Sequence, residues 1–189
     1  MTSAPLLVLL GPAASGKSTL GALVAERLGR SFVDIDAAAD PYYAEVGWSI
    51  DRLVERVRAV GRAAAEREWE PARAHAVRRV VEANPGAVVA LGAGHASYTA
   101  ERHREAVRAA LRGVPHVVLP LPSLDRAVAL TVLRHRSVMD KGTDWVFDGH
   151  DLLAEWFDDA GTRALATHTV TTSGRTPEDV AAEVAALIG

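Results

Sequence analysis

The 189-residue chain has no cysteine, only two lysines, Lys17 and Lys141, and a single asparagine, Asn84. Without cysteine there is no disulfide framework, no thiol nucleophile and no thiolate metal site. The lone asparagine is followed by Pro85, so the chain has no N-K-x-D segment to read guanine, which argues against a GTP-driven switch. Seven histidines are scattered, none with the H-E-x-x-H spacing that places two ligands on one helix face. No apolar run approaches the roughly 20 residues that cross a bilayer, so no membrane partner is expected. The run Leu6–Leu10 is short, lacks a basic flank and leads straight into a glycine-containing loop, unlike a secretory signal; a cytoplasmic enzyme is the expectation. A net charge of −3 gives no general attraction for polyanions, which makes nucleic acid an unlikely class of partner.

What is present is a phosphate loop. Gly11-Pro12-Ala13-Ala14-Ser15-Gly16-Lys17-Ser18 fits G-x-x-x-x-G-K-S, with an apolar run before it and a helix-spaced segment, Thr19 to Leu28, after it. Glycines let the backbone curl so that several amides point inward at phosphate oxygens. The helix that starts here adds the positive end of its dipole. Gly11, Ala13, Ala14, Ser15, Gly16, Lys17, Ser18 and Thr19 are therefore the expected ATP contacts. Lys17 reaches the β- and γ-phosphates and the Ser18 hydroxyl sits on Mg²⁺.

The remainder alternates short apolar runs with helical periods. Strands are expected at 6–10, 31–36, 87–91, 116–121 and 165–171. Helices are expected at 17–28, 49–60, 61–70, 71–83 (restarting at Pro71), 99–111, 124–134 (capped by Ser123), 151–160 and from Thr176 onward. Residues 37–47 read as a turn-rich stretch. Five strands interleaved with helices make a three-layer α/β/α domain with a parallel sheet, spanning 1–189 with no linker or second domain. Asp34 and Asp36 fall at the carboxyl end of the second strand, where ligands sit in parallel sheets, and are candidates for a magnesium site and a base. Gly92-Ala93-Gly94 ends the third strand with small residues that let a ligand approach the backbone. Residues 134–149 lose their period and carry cations and glycine, as a mobile lid does.

The phosphate loop, the Phe32-Val33-Asp34-Ile35-Asp36 pair, the Val88–Gly94 strand and turn, and the tail Thr172–Pro177 stand in the order and spacing of the shikimate kinase family and its small-molecule-kinase relatives. The chain resembles that family over nearly its whole length. The resemblance implies a five-stranded parallel sheet and ATP-dependent transfer of the γ-phosphate to a hydroxyl of a small molecule. It also implies roles: Asp34 holds Mg²⁺ through water, Asp36 orients or deprotonates the acceptor hydroxyl, and Gly92, Ala93 and Gly94 line the acceptor site. An arginine of the lid, Arg134 or Arg136, acts on the transferred group, and Arg175 lies against the adenine.

Three positions depart from the family pattern. Glu70 stands where the family has an arginine after an aromatic residue, here Trp69; Ala93 replaces the middle glycine; and the family's second substrate arginine falls near Trp156 and Phe157. Those arginines hold a carboxylate by bidentate pairing. With Trp69 and Glu70 at the acceptor, the expected substrate is a neutral or amine-bearing cyclitol, sugar or specialised metabolite. Shikimate itself, a nucleoside or a nucleotide are the alternative acceptors, and a nucleotide-binding switch or partner protein is the non-enzymatic alternative. The oligomeric state is left open.

Overall fold

The computed structural model describes residues 4–189. Its strands are β1 (Leu7–Leu9), β2 (Phe32–Asp34), β3 (Val88–Ala90), β4 (His116–Leu121), β5 (Val146–Phe147), β6 (His150–Asp151) and β7 (His168–Thr171). Its helices are α1 (Lys17–Leu28), α2 (Ile35–Ala38), α3 (Asp40–Ala44), α4 (Ile50–Val60), α5 (Arg62–Ala83), α6 (Glu101–Leu111), α7 (Arg126–Lys141), α8 (Leu152–Asp158), α9 (Ala160–Leu165) and α10 (Pro177–Ile188). Five strands pair in parallel in the order β2-β3-β1-β4-β7, and β5 and β6 form a separate antiparallel hairpin.

Successive strand residues point to opposite faces, and the apolar runs supply both. Leu7, Leu9, Val88, Ala90, Val118 and Val170 pack with Leu20 and Val24 of α1 and with Val180 and Val184 of α10. Val8, Val89, Leu91, Val117 and Leu119 pack on the other face with Val77 and Val80 of α5, Val107 of α6 and Leu133 of α7. Helices therefore cover both faces of the parallel sheet. Because β1 is central, its carboxyl end delivers the loop that follows it to the middle of the sheet edge.

Several boundaries differ from expectation, each for a local reason. The second strand ends at Asp34, whose side chain accepts a hydrogen bond from the Asp36 amide at 3.0 Å and caps α2, so Asp36 is a helical residue. Residues 40–44, read as a turn, form α3, which Pro41 opens at its first turn. Pro71 does not restart a helix: α5 runs unbroken through it, because burial of Trp69, Ala72, Ala76, Val77 and Val80 outweighs the one backbone bond proline removes. Pro120 lies inside β4. Val117 and Leu121 carbonyls face β7 and the Val118 carbonyl faces β1, so position 120 faces the side where β1 has already ended, and no ladder donor is missed there. Asp125, not Ser123, caps α7. That helix continues to Lys141, so residues 134–141 of the expected lid are helical. Leu165 closes α9, and the last strand starts only at His168.

Candidate active site

The loop after β1 closes on Gly16, whose φ of 90° is left-handed, and α1 starts at the next residue with no side chain capping it. α4, α7, α8, α9 and α10 each have a Ser, Thr or Asp cap. Among the described residues nothing accepts from the amides of Ala13, Ala14 or Gly16. Uncapped amides at the head of a helix are what a phosphate needs. Lys17 is buried and donates through Nζ to the carbonyls of Gly11 (2.9 Å) and Pro12 (2.7 Å). Burial lowers its pKa to about 8, with the Asp36 carboxylate opposing that fall.

These residues border a cavity of about 580 Å³. Ala13–Thr19, Asp36, Trp69, Ala93, Gly94, Arg136 and Arg175 line it, as the sequence led one to expect. Gly11, Asp34, Glu70, Gly92 and Arg134 do not. Arg134 donates to the Asp151 carboxylate (2.6 Å) and the Asp144 carbonyl (3.1 Å), so it ties α7 to the β5–β6 hairpin while Arg136 faces the cavity. Arg175 pairs with Glu183 at 2.5 Å on the β7–α10 side.

Glu70 corrects the sequence reading. It is 3% exposed, and its carboxylate accepts from the Thr99 amide (2.6 Å), the Thr99 hydroxyl (2.8 Å) and the Ala100 amide (3.2 Å). It holds the entry to α6 and borders a second cavity of about 370 Å³ on the far side of Glu66, Arg73 and Trp156. The α5 carboxylate that does line the main cavity is Glu66, one helical turn earlier. It accepts from Arg62 Nε at 2.8 Å and lies 3.8 Å from Arg73.

The glycines at the end of β3 also act differently than expected. A Cβ on Gly92 would meet Asp36 Oδ1 and the His95 ring, and one on Gly94 would meet the Arg73 guanidinium. The missing side chains make room for protein groups. Arg73 donates through Nη1 to the Gly94 carbonyl and through Nη2 to the Glu66 carbonyl at 3.1 Å, and its guanidinium lies over the rings of Trp69 and Tyr98. Burial, and then the Asp34 charge, raise the pKa of Asp36.

Sequence reasoning did not name Glu66, Arg73 or His95 as lining residues; it held Lys141 and Trp145 only within the 134–149 lid, and Trp156 only as the place of a family arginine. Trp145 packs edge-on to Trp156 with centroids 5.0 Å apart, and its indole N–H donates to Ser137 Oγ at 2.7 Å. The scarcity of lysine was the available signal for Lys141: both lysines of the chain border one cavity.

Ser18 is an exposed hydroxyl, and Asp34 keeps one carboxylate oxygen without a hydrogen bond among the described residues. No group of three or more His, Cys, Asp or Glu among the described residues is arranged to hold a metal. Two hard oxygen donors fit Mg²⁺ that arrives with nucleotide phosphates and keeps its waters.

The model of the shikimate kinase family matches residues 13–188. A shikimate kinase from Salinispora arenicola is 34% identical over 193 residues, covering 98% of both chains. One from Streptomyces coelicolor is 33% identical, covering 94% of this chain and 92% of its own. Among solved structures, the shikimate kinase of Acinetobacter baumannii in complex with shikimate superposes with a TM-score of 0.67 at 21% identity, covering 98% of this chain and 92% of that one. No helix among the described residues is long and apolar enough to cross a membrane.

Proposed function

The chain belongs to the shikimate kinase family, and from that premise we propose that its acceptor is a neutral hydroxylated ring held against tryptophan. The coarse activity is ATP-dependent transfer of phosphate to a hydroxyl of a small molecule. Amides of residues 13–16 and Lys17 bind the β- and γ-phosphates, and Arg175 flanks the adenine. Ser18, and Asp34 through water, would hold Mg²⁺, which would draw charge off the phosphates. Arg136 and Lys141 neutralise charge that builds on the transferred group. Asp36 takes the acceptor's proton as its oxygen attacks in line. Residues 134–149 act as a lid on one domain covering 1–189.

One observation carries the choice of acceptor. Both arginines near Glu66 are already engaged: Arg62 with the Glu66 carboxylate, and Arg73 with two backbone carbonyls. A ligand carboxylate would meet only the donors those partners leave over, chiefly Arg62 Nη1 and the buried Arg73 Nε, and not an open guanidinium fork. The walls supply Trp69, Trp145 and Trp156, flat faces suited to the C–H surface of a polyol ring. With Glu70 spent on α6 and Glu66 matched by arginine, α5 offers an amine on the acceptor no unpaired anion. Shikimate is the second reading; Arg73 at this end of the cavity and the names of the relatives favour it.

ADP release with shikimate, myo-inositol, 2-deoxystreptamine, glucose and adenosine tests the proposal. The expected result is a kcat/KM for a neutral polyol at least about tenfold above that for shikimate, the ratio that about 1.4 kcal/mol gives. Shikimate leading by the same margin would overturn it, and ADP release that no acceptor stimulates would favour a switch.

A further inference from the structure

His95 is 2% exposed, and the mechanism above does not use it. Its amide donates to the Gly92 carbonyl at 3.0 Å, a tight turn that folds the ring back over Gly92. There, His95 Nδ1 and Asp36 Oδ1 both crowd the point a Gly92 Cβ would occupy, so the two groups are neighbours across that glycine, with no hydrogen bond between them in this structure. Nε2 lies 2.7 Å from the Tyr43 hydroxyl. Nδ1 is buried and has no hydrogen-bond partner among the described residues.

The tautomer follows from these contacts. The Tyr43 hydroxyl has no other hydrogen-bond partner among the described residues, so it donates to Nε2; otherwise its own proton would be orphaned in the core. The ring proton then sits on Nδ1. The opposite tautomer would aim the Nδ1 lone pair at a carboxylate.

We propose that His95 is a positioning residue for phosphate transfer: Tyr43 fixes its Nδ1–H, and that N–H closes onto one oxygen of the nearby Asp36 carboxylate when the acceptor binds, so that the other oxygen faces the acceptor hydroxyl. The chemical step is unchanged. The acceptor O–H proton passes to Asp36, the oxygen bonds to the γ-phosphorus, and the bond from that phosphorus to the β–γ bridging oxygen breaks to release ADP. The inference rests on Asp36 as the base.

The test uses His95→Asn, whose amide N–H₂ falls near Nδ1, together with His95→Leu, Tyr43→Phe and Asp36→Asn, all with the panel acceptor of highest kcat/KM. His95→Leu should lower kcat about 100-fold, the cost of a misplaced reacting group, with KM for MgATP within twofold. His95→Asn should recover about a tenth or more of wild-type kcat. The double variant Asp36→Asn/His95→Leu should be no slower than Asp36→Asn alone, since residues acting as a unit are non-additive. Ring-nitrogen NMR should find Nδ1 protonated at neutral pH in the wild type and a tautomer mixture in Tyr43→Phe. Asp36→Asn keeping its turnover would sink the base assignment itself. With Asp36→Asn inactive, the positioning role alone is overturned by His95→Leu within threefold of wild type, by His95→Asn falling as far as His95→Leu, by additive losses, or by an Nε2–H ring.

Discussion

His95 shows how burial turns a common residue into a fixed one. Desolvation, and then the Arg73 charge, bring its pKa down to about 3, so it stays neutral in the native protein at ordinary pH. In the unfolded chain it titrates near its usual 6.5. Between those values the unfolded state binds the extra proton, so stability falls as pH drops from 6.5 toward 3. At pH 5 this amounts to about 2 kcal/mol relative to pH 7, at 1.36 kcal/mol per pKa unit. Urea unfolding at the two pH values should reveal that loss in the wild type and a correspondingly smaller one in His95→Asn. At the same scale, Lys17 and Asp36 were readable because a local motif names them. Glu66, Arg73 and His95 were not, because their meaning depends on which face of α5 and which turn after β3 meet across the cavity.

The element with the largest consequence is α5. Reading Pro71 as a helix start breaks it into two pieces and leaves Glu66, Trp69 and Arg73 without a common face. In the unbroken helix their spacing of three and four residues stacks them along the cavity wall. Pro71 is exposed and removes the bond to the Arg67 carbonyl. Pro71→Ala should therefore stabilise the fold by about 1–2 kcal/mol, the interior-proline cost less the gain in unfolded-chain freedom, as read by chemical denaturation. Glu70→Ala should do the reverse, costing roughly 2–4 kcal/mol by orphaning three donors at the entry to α6. The same variant should leave KM for the acceptor within about twofold, since the carboxylate faces away from the cavity. A large KM change with an unaltered melting temperature would return Glu70 to the acceptor site. Helix α7 teaches a related lesson. Its period fades after Arg134 because His135, Arg136 and Asp140 face solvent or the cavity, yet Leu133 and Ser137 still pack and carry the helix on to Lys141.

For the molecule as a whole, the order of strands and helices was legible because each strand is a short apolar run and each crossover a periodic one. The layering then followed from alternation on the strands. What the sequence could not show was the direction in which polar side chains point once buried, which is how Glu70 came to be assigned to the wrong cavity. Nucleotide binding draws on this whole frame. MgATP at about 100 times its Kd should add about 2.7 kcal/mol of stability and raise Tm by roughly 5–10 °C in a chain of this size. Lys17→Ala should abolish both that shift and phosphate transfer, as followed by differential scanning fluorimetry and ADP release. A full shift in Lys17→Ala would separate binding from that side chain.

The pairing of Lys17 with Lys141 has a practical corollary. These are the chain's two ε-amines, and both border the same hollow, one buried and one exposed. Acylating reagents that scatter over most proteins would here converge on the mouth of this cavity, so coupling the enzyme to a resin through lysine should block whatever enters it. Conversely, the extent of labelling by an activated ester, read by mass spectrometry, would serve as a gauge of how full that mouth is.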